Sequence, residues 1–553
     1  MKRRRVFYLV ASAIVAYFYG FPTNGLSHFD EGQYAFARVW PWIDKFDVDQ
    51  AFFSPPLYPF LVGLVQHLPI SRPDLAGVYI SWAACWASLY FGVKLAVAWW
   101  GRAARFPSFV LLLLSPMRLC LGTIGLTDAL FSALLLATLW CATNAFRRNS
   151  SRWTLATALL AGSTWSCKYN GFIALGIVAG FVMQRRSASS VVRWLVICVI
   201  AGAIMAPWYW AIQRHHPEGL AALQRHQQGY LRGLTAPLIW EGLCQAFSLR
   251  AQTPGPSVLL ACWVLLGIGW ASRRHSIAAV MLATVLAAEE FSFSQLLPVA
   301  ALVVLPCSVL SSRRLARAPI VLSVLLTVLL PGIYTPYLRL WLPAETILLL
   351  VIAGAVAGAT RKAPSLEVKR SAIAVAALLL MTPSFIKVVG PAASLFGRRL
   401  PESLETVCMK FYETRPRVRP VEGYWPAVQE LVDRVNATEA DGLLVYARPP
   451  LLYYLASSKL RTPVKRMPDE RMPLEGLRPG TMIVTDVALR DSQKFAASVR
   501  EAKRRRALQM VDGWHFSPHP LTMLDDFGSI HPLDVGAYKV SLSLVTLFSE
   551  PGP

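Results

Sequence analysis

Charge is scarce in this chain. Only 16% of its 553 residues are Asp, Glu, Lys or Arg, whereas 55% are hydrophobic and the mean hydropathy is +0.43. A soluble protein of this length needs a far more charged surface, so the composition excludes one. The nine cysteines build no disulfide framework. Cys85, Cys120, Cys141, Cys167, Cys198, Cys262 and Cys307 lie in apolar runs, where a free thiol is an ordinary small hydrophobe. No CxxC pair occurs, which argues against a zinc ribbon or a redox motif. No strand–GxGxxG–helix unit is visible, so no Rossmann-type nucleotide site is expected. Internal repeats and low-complexity tracts are absent. A small-residue cleavage site is also missing between the basic start Lys2-Arg3-Arg4-Arg5 and the Pro22-Thr23-Asn24-Gly25 turn, so the apolar run from Val6 is expected to be retained as a helix.

What the chain has is a succession of apolar runs, each near the ~20 residues that carry a helix across a bilayer. About thirteen spanning segments are expected, starting near residues 6, 75, 106, 127, 153, 170, 194, 257, 276, 295, 318, 341 and 371. With the N-terminus placed in the cytoplasm, every second loop carries basic residues: Arg102 and Arg105; Arg147, Arg148 and Arg152; Arg185, Arg186 and Arg193; Arg273 and Arg274; Arg313, Arg314 and Arg317; Arg361, Lys362, Lys369 and Arg370. The short loops between them are poor in basic residues. The net charge of +23 thus reads as the positive-inside rule and not as a nucleic-acid-binding face. An odd number of spans puts the C-terminus outside.

Residues 1–389 form the expected transmembrane domain, with outer loops near 21–56 and 213–256. The first loop is acidic, with Asp30, Glu31, Asp44, Asp47 and Asp49, and residues 30–42 are expected to form a helix lying on the membrane. Beyond residue 390 long apolar runs stop and charge rises. Strand-like pieces at 442–446, 481–485 and 538–547 and a helical piece at 492–506 predict an extracytoplasmic α/β domain over 390–553. Its cluster Lys503-Arg504-Arg505-Arg506 lies on the outer side, and large domains translocate regardless of charge. The fold class expected is mostly α: a polytopic helical bundle with a C-terminal α/β domain.

Ionisable residues recur on one face. Asp30 and Glu31 stand in SHFDEGQYAFARVW, ahead of FFSPPLYPFLVGL. An acidic pair at a helix start is also what capping and the helix dipole favour. Asp128, in GLTDALFSALL, opens the fourth run; Lys168, in CKYNG, and Arg339, in YTPYLRLWLP, sit at outer helix ends. Each alone also fits a snorkelling anchor. Together they place acidic and basic groups at one membrane depth, where charges facing a cavity are functional candidates. Glu289-Glu290 lie at another outer helix end. His215-His216 and His226 have no third ligand at metal spacing. A divalent metal is compatible with His28, Asp30 and Glu31, and no other cofactor is indicated.

These motifs, in this order, resemble the GT-C superfamily of membrane glycosyltransferases, and in particular bacterial relatives of protein O-mannosyltransferases and lipid A aminoarabinose transferases. The matching pieces are DEGQYA, SPPLYP, TDALF, KYNG and RLWLP, spread over residues 28–345. Leu340 departs from the Tyr that such relatives often carry after the Arg, and no WWD-type motif of oligosaccharyltransferases is present. The resemblance implies a GT-C bundle in a bacterial inner membrane. It also implies a polyprenyl-phosphate sugar donor, an extracytoplasmic lipid, glycan or protein acceptor, and no nucleic-acid partner. Asp30 is then the general base of an inverting in-line displacement. Glu31 is a second acid at the site, and Asp128 orients acceptor, sugar or Lys168. Lys168, Arg339 and Tyr337 hold the donor phosphate. A transporter or flippase of lipid-linked sugars, with inverted repeats and midplane charges, is the rival reading. A polymer ligase or polymerase with a basic mid-chain outer loop is another; here that loop has Arg214, Arg225, Arg232 and Arg250.

The base assignment makes a direct prediction. Asp30→Asn should lower sugar transfer by about a hundredfold or more, the usual contribution of a general base, while the thermal unfolding midpoint stays put. An Asp30→Asn protein with full turnover would remove Asp30 from that role.

Overall fold

A computed structural model describes residues 6, 8–13, 26, 29–35, 54–70, 72–113, 115–231, 233, 236, 239, 304–334, 338–360, 424–438, 443–446, 449–461, 464–466, 480–485, 508–516 and 538–545. The chain falls into two compact units. The first comprises Met1–Gly20, Trp40–Leu61 and Val78–Val418, and the second Phe21–Val39, Val62–Gly77 and Arg419–Pro553.

The described helices are α1 (Phe29–Ala35), α2 (Leu57–Gln66), α3 (Ala76–Trp100), α4 (Arg105–Leu113), α5 (Pro116–Leu121), α6 (Thr127–Arg148), α7 (Ser151–Cys167), α8 (Ile173–Arg185), α9 (Ala188–His215), α10 (Leu220–Gly229), α11 (Arg317–Ile333), α12 (Leu342–Thr360), α13 (Tyr424–Ala437) and α14 (Pro449–Ser457). Among the described residues, five helical stretches are long and apolar enough to cross a membrane: Pro73–Trp100, Thr127–Arg148, Ala188–His215, Arg314–Ile333 and Arg339–Gly358. The segments expected near 75, 106, 127, 153, 170, 194, 318 and 341 all fall on helices, and residues 8–13 and 304–311 are helical too. The starts near 257, 276, 295 and 371 lie outside the described residues. The helix expected over 30–42 begins at Phe29 and is described through Ala35.

The first unit is built on the antiparallel pair α6 and α7. The chain reverses at Asn149, whose φ of 54° is left-handed and whose N–H closes on the Ala145 carbonyl. Asn accepts that conformation at a helix end better than most residues. The helix faces that meet are small. A Cβ at Gly162 of α7 would stand 2.5 Å from Ile204 Cδ1 of α9, and one at Gly180 of α8 would stand 2.9 Å from the Pro319 backbone nitrogen of α11. Helices in lipid gain little from hydrophobicity against each other, so close approach over small residues supplies the packing. On α9, Val191, Val192, Leu195, Val199 and Trp210 are exposed. In an apolar solvent that is the outer surface of the bundle.

The basic loops meet at one end of this unit. Arg313 N–H bonds the Trp99 carbonyl at 2.8 Å, Trp99 Nε1 donates to Thr143 Oγ1 at 3.0 Å, and Arg193 Nη2 donates to Asn149 Oδ1 at 2.5 Å. The loops holding Arg102, Arg147 to Arg152, Arg185 to Arg193 and Arg313 to Arg317 are thereby on one side, as the alternation of charge along the chain requires.

The third run is broken between α4 and α5, and a buried arginine repairs the break. Arg118, 2% exposed, donates from Nε to the Leu112 carbonyl (2.6 Å), from Nη2 to that of Leu113 (3.1 Å) and from Nη1 to that of Cys85 (2.6 Å). The last carbonyls of a helix have no partner within it, and in a bundle core no water supplies one.

In the second unit, Val428, Leu431, Val432 and Val435 of α13 are buried while Gln429, Glu430, Asp433 and Arg434 are exposed. This is the helical period of a half-buried element. The strands β1 (Leu443–Tyr446), β2 (Val464–Arg466), β3 (Met482–Thr485), β4 (Leu508–Phe516) and β5 (Tyr538–Val545) form one mixed sheet of order β2-β1-β3-β5-β4. β1 runs parallel to β2 and β3, whereas β5 is antiparallel to β3 and β4. Parallel neighbours need a crossover, and α14 supplies it between β1 and β2. The consecutive burial of Met482, Ile483 and Val484 marks a strand covered on both faces. Residues 492–506 lie outside the described residues.

Replacing Arg118 by Leu removes three charge-assisted hydrogen bonds to buried carbonyls, of which those of Leu112 and Cys85 keep a weaker donor in the Ser115 N–H and the Ser88 hydroxyl. At ~1.5–3 kcal/mol for a hydrogen bond to a charged group, the loss should be about 3 kcal/mol or more. A thermal unfolding curve in detergent should show a clear downward shift, with Arg118→Lys intermediate because an ammonium cannot reach all three carbonyls. An unchanged midpoint for Arg118→Leu would show that the break is held by other means.

Candidate functional site at the ends of α6 and α7

At the end opposite the basic loops, α6 starts and α7 stops. Asp128 sits in the first turn of α6, and Lys168 caps the last turn of α7, its N–H bonding the Thr164 carbonyl. A carboxylate at a helix start and a cation at a helix end are each favoured by the backbone dipoles. Because the two helices are antiparallel neighbours, those two ends coincide, and Lys168 Nζ forms an ion pair with Asp128 Oδ1. Cys167 Sγ reaches the Thr127 carbonyl at 3.7 Å, fixing the same two ends against each other. Gly171 lets the chain turn sharply after Lys168: a Cβ there would lie 2.2 Å from the Thr164 carbonyl oxygen.

Asp128 is 1% exposed, and the Lys168 side chain 20%. A charge that deep is tolerated only when paired, and Lys168 supplies the pair. One carboxylate oxygen is left over. Asp128 Oδ2 has no hydrogen-bond partner among the described residues, and neither has the buried Asn170 Oδ1 two residues beyond Lys168. Both are acceptors, so the groups that match them are donors. Aromatic pairs lie beside this turn: Trp208 Nε1 donates to Tyr169 OH at 3.0 Å, and Trp165 Nε1 to Tyr209 OH at 3.2 Å.

Arg339 lies half-buried in the turn Leu338–Trp341 that opens α12. It follows Tyr334, which pairs with Leu231 of the second outer loop. A Cβ on Gly332 would stand 2.5 Å from Ile239 Cγ1, so Ile239 packs closely on the end of α11. Tyr337 lies outside the described residues, as do His28, Glu289 and Glu290. His216 is buried, with Nδ1 accepting from the Glu218 N–H at 3.1 Å. The ring of His226 stands 4.9 Å from that of Tyr230. No group of three His, Cys, Asp or Glu at metal spacing occurs among the described residues.

Asp30 and Glu31 belong to the second unit, on α1. Asp30 is half-buried and Glu31 is 3% exposed. Gln66 Nε2 donates to the Ala35 carbonyl at the far end of that helix at 2.7 Å. Near its start, Tyr454 OH accepts from the Leu26 N–H at 2.7 Å and donates to Asp74 Oδ2 at 2.8 Å. Arg72 forks onto Asp74, Nε to Oδ1 at 2.9 Å and Nη2 to Oδ2 at 2.7 Å. Burial first, and then the Asp74 carboxylate, raise the Tyr454 hydroxyl well above the ordinary phenol range, so it remains a donor at neutral pH. The bond to Asp74 raises the Arg72 guanidinium in turn.

Three buried polar groups were not singled out from sequence: Arg118, Glu345 and Tyr454. Glu345, in LPAETILLL, is 1% exposed and accepts from Ser115 Oγ at 2.5 Å. The rule that an ionisable residue inside an apolar run is significant applies to Arg118 and Glu345 as it does to Lys168. Tyr454 carries no such signal.

The ion pair predicts an asymmetry. Lys168→Met leaves a buried, uncompensated carboxylate and should cost about 3–5 kcal/mol, whereas Lys168→Met combined with Asp128→Leu should recover most of it. Unfolding midpoints of the two single variants and the double variant form the cycle; strict additivity would mean that the pair is not coupled.

No protein-family model matches the sequence, and no curated protein does. Solved structures do match. ArnT from Cupriavidus metallidurans bound to undecaprenyl phosphate superposes with a TM-score of 0.54 at 12% identity, covering 99% of this chain and 99% of that one. The same protein in the apo state gives 0.54 at 13% identity over 98% of each chain. A likeness of that extent at so low an identity is one of fold, and the fold is of the GT-C type: a polytopic helical membrane protein.

Proposed function

We propose that this chain is an inverting glycosyltransferase that moves a sugar from a polyprenyl-phosphate donor to an extracytoplasmic lipid, glycan or protein. The observation that carries the reading is the buried Asp128–Lys168 pair with its unused carboxylate oxygen, standing opposite the basic end of a GT-C fold. The likeness to a structure holding undecaprenyl phosphate supports the class of donor. The basic loops face the cytoplasm of a bacterial inner membrane, so the pair faces outward.

The chemistry follows from the residue types. The acceptor hydroxyl or amine attacks the anomeric carbon, and Asp30 takes its proton. The bond from that carbon to the phosphate oxygen breaks, and both its electrons leave with the polyprenyl phosphate. Attack opposite the leaving group inverts the anomeric centre. A phosphate is a good leaving group and needs no acid, but its growing charge needs cations. Lys168 supplies a point charge and Arg339 a planar fork, with Tyr337 a further donor. Asp128 holds Lys168 in place and offers its second oxygen to a sugar hydroxyl or amine. Glu31 is the second acid beside Asp30.

The direct assay uses the purified full-length chain in lipid, a panel of radiolabelled polyprenyl-phosphate sugars and a crude envelope extract as acceptor. The expected result is consumption of at least one lipid donor, no consumption of sugar nucleotides, and a product of inverted anomeric configuration. Retention of configuration would refute the single displacement. Lipid binding without turnover of any donor would favour a transporter or flippase.

A further inference from the structure

We infer that Tyr454 is a positioning residue for the acidic helix α1, so that the C-terminal part of the second unit sets where Asp30 and Glu31 stand. The inference rests on the reading of Asp30 as the base.

α1 has seven residues. Isolated helices shorter than ~12–15 residues are marginal at best, so the place of this one is decided by what it is tied to. Its C-terminal end is tied by Gln66, through the Ala35 carbonyl. Its N-terminal approach is tied at Leu26, 2% exposed, whose N–H reaches Tyr454 OH across 428 residues of sequence. That hydroxyl works in both directions. It accepts once from Leu26 and donates once to Asp74, 380 residues away, and Arg72 holds Asp74 by a two-point fork. Tyr454 is itself 1% exposed on α14, the helix against which α1 packs. Three distant stretches, the first outer loop, the approach to α3 and the α/β part, therefore converge on one phenol oxygen. Packing of the ring alone would need only a Phe. The hydroxyl is what connects Leu26 to Asp74, and removing it takes the acceptor from a buried N–H and one of two donors from Asp74 Oδ2.

The test is Tyr454→Phe in the full-length chain in lipid, with two readouts. Amide hydrogen exchange across residues 26–35 should speed up by about tenfold or more, the equivalent of one lost buried hydrogen bond, while the α6–α7 pair stays unchanged. In the transfer assay kcat should fall by about tenfold or more while KM for the lipid donor stays within about twofold, because donor-binding groups are untouched. Equal exchange changes throughout the protein, or none over 26–35, would overturn the inference. So would faster exchange over 26–35 with kcat unchanged. If the wild-type chain turns over no donor, the glycosyltransferase reading fails, and the exchange result still decides whether Tyr454 holds α1. Should Tyr454→Phe not fold, Asp74→Asn keeps an acceptor for the phenol but weakens the Arg72 fork. It should give a smaller increase confined to the same residues, and no increase would again overturn the inference.

Discussion

A helix in hydrocarbon has no water to fall back on, and each unpaired N–H or C=O there costs several kcal/mol. Most features of the first unit follow from that constraint. Uninterrupted apolar runs become α3, α6, α9, α11 and α12 because a helix satisfies its own backbone. Hydroxyls inside those helices turn back onto the chain: Thr143 Oγ1 bonds the Leu139 carbonyl, Ser323 Oγ that of Pro319 and Thr327 Oγ1 that of Ser323. Where a run breaks, between α4 and α5, the guanidinium of Arg118 reaches the exposed carbonyls. Where helices cross, Gly162 and Gly180 admit the close approach that substitutes for hydrophobic association.

The same constraint separates structural charges from a site. Arg118 spends its donors on carbonyls, and Glu345 accepts a bond from Ser115 deep between helices. Asp128 and Lys168 differ in place, not in completeness, since Glu345 too has a buried carboxylate oxygen without a partner among the described residues. They stand where two helix ends meet, at the surface of the bundle opposite its basic loops, and one carboxylate oxygen is unused. A group that is buried, charged and only half satisfied is costly to a fold and useful to a ligand.

The second unit solves a different problem. A five-stranded sheet flanked by α13 and α14 has its own core, as the burial of Leu443, Ile483, Leu431 and Leu451 shows. α1 has too few residues to hold itself and joins this core through α14, Gln66 and the phenol of Tyr454. The acidic pair thus belongs with residues more than 400 positions away in the chain.

Much of this was legible in the sequence. Apolar runs, the alternation of basic loops, the change of composition near residue 390 and the strand-like pieces at 442–446, 481–485 and 538–547 are local properties. Hydropathy and side-chain period report them without any knowledge of neighbours. The ordered motifs around Asp30, Asp128, Lys168 and Arg339 pointed to the same fold as the likeness to ArnT at 12% identity. Only the tertiary structure decided the pairings. That Lys168 meets Asp128, that β1 lies between β2 and β3, and that Tyr454 holds Leu26 and Asp74 are contacts between distant stretches of chain. No periodicity encodes such contacts. They are selected when the folded chain brings each buried donor to an acceptor, and that accounting closes only in three dimensions.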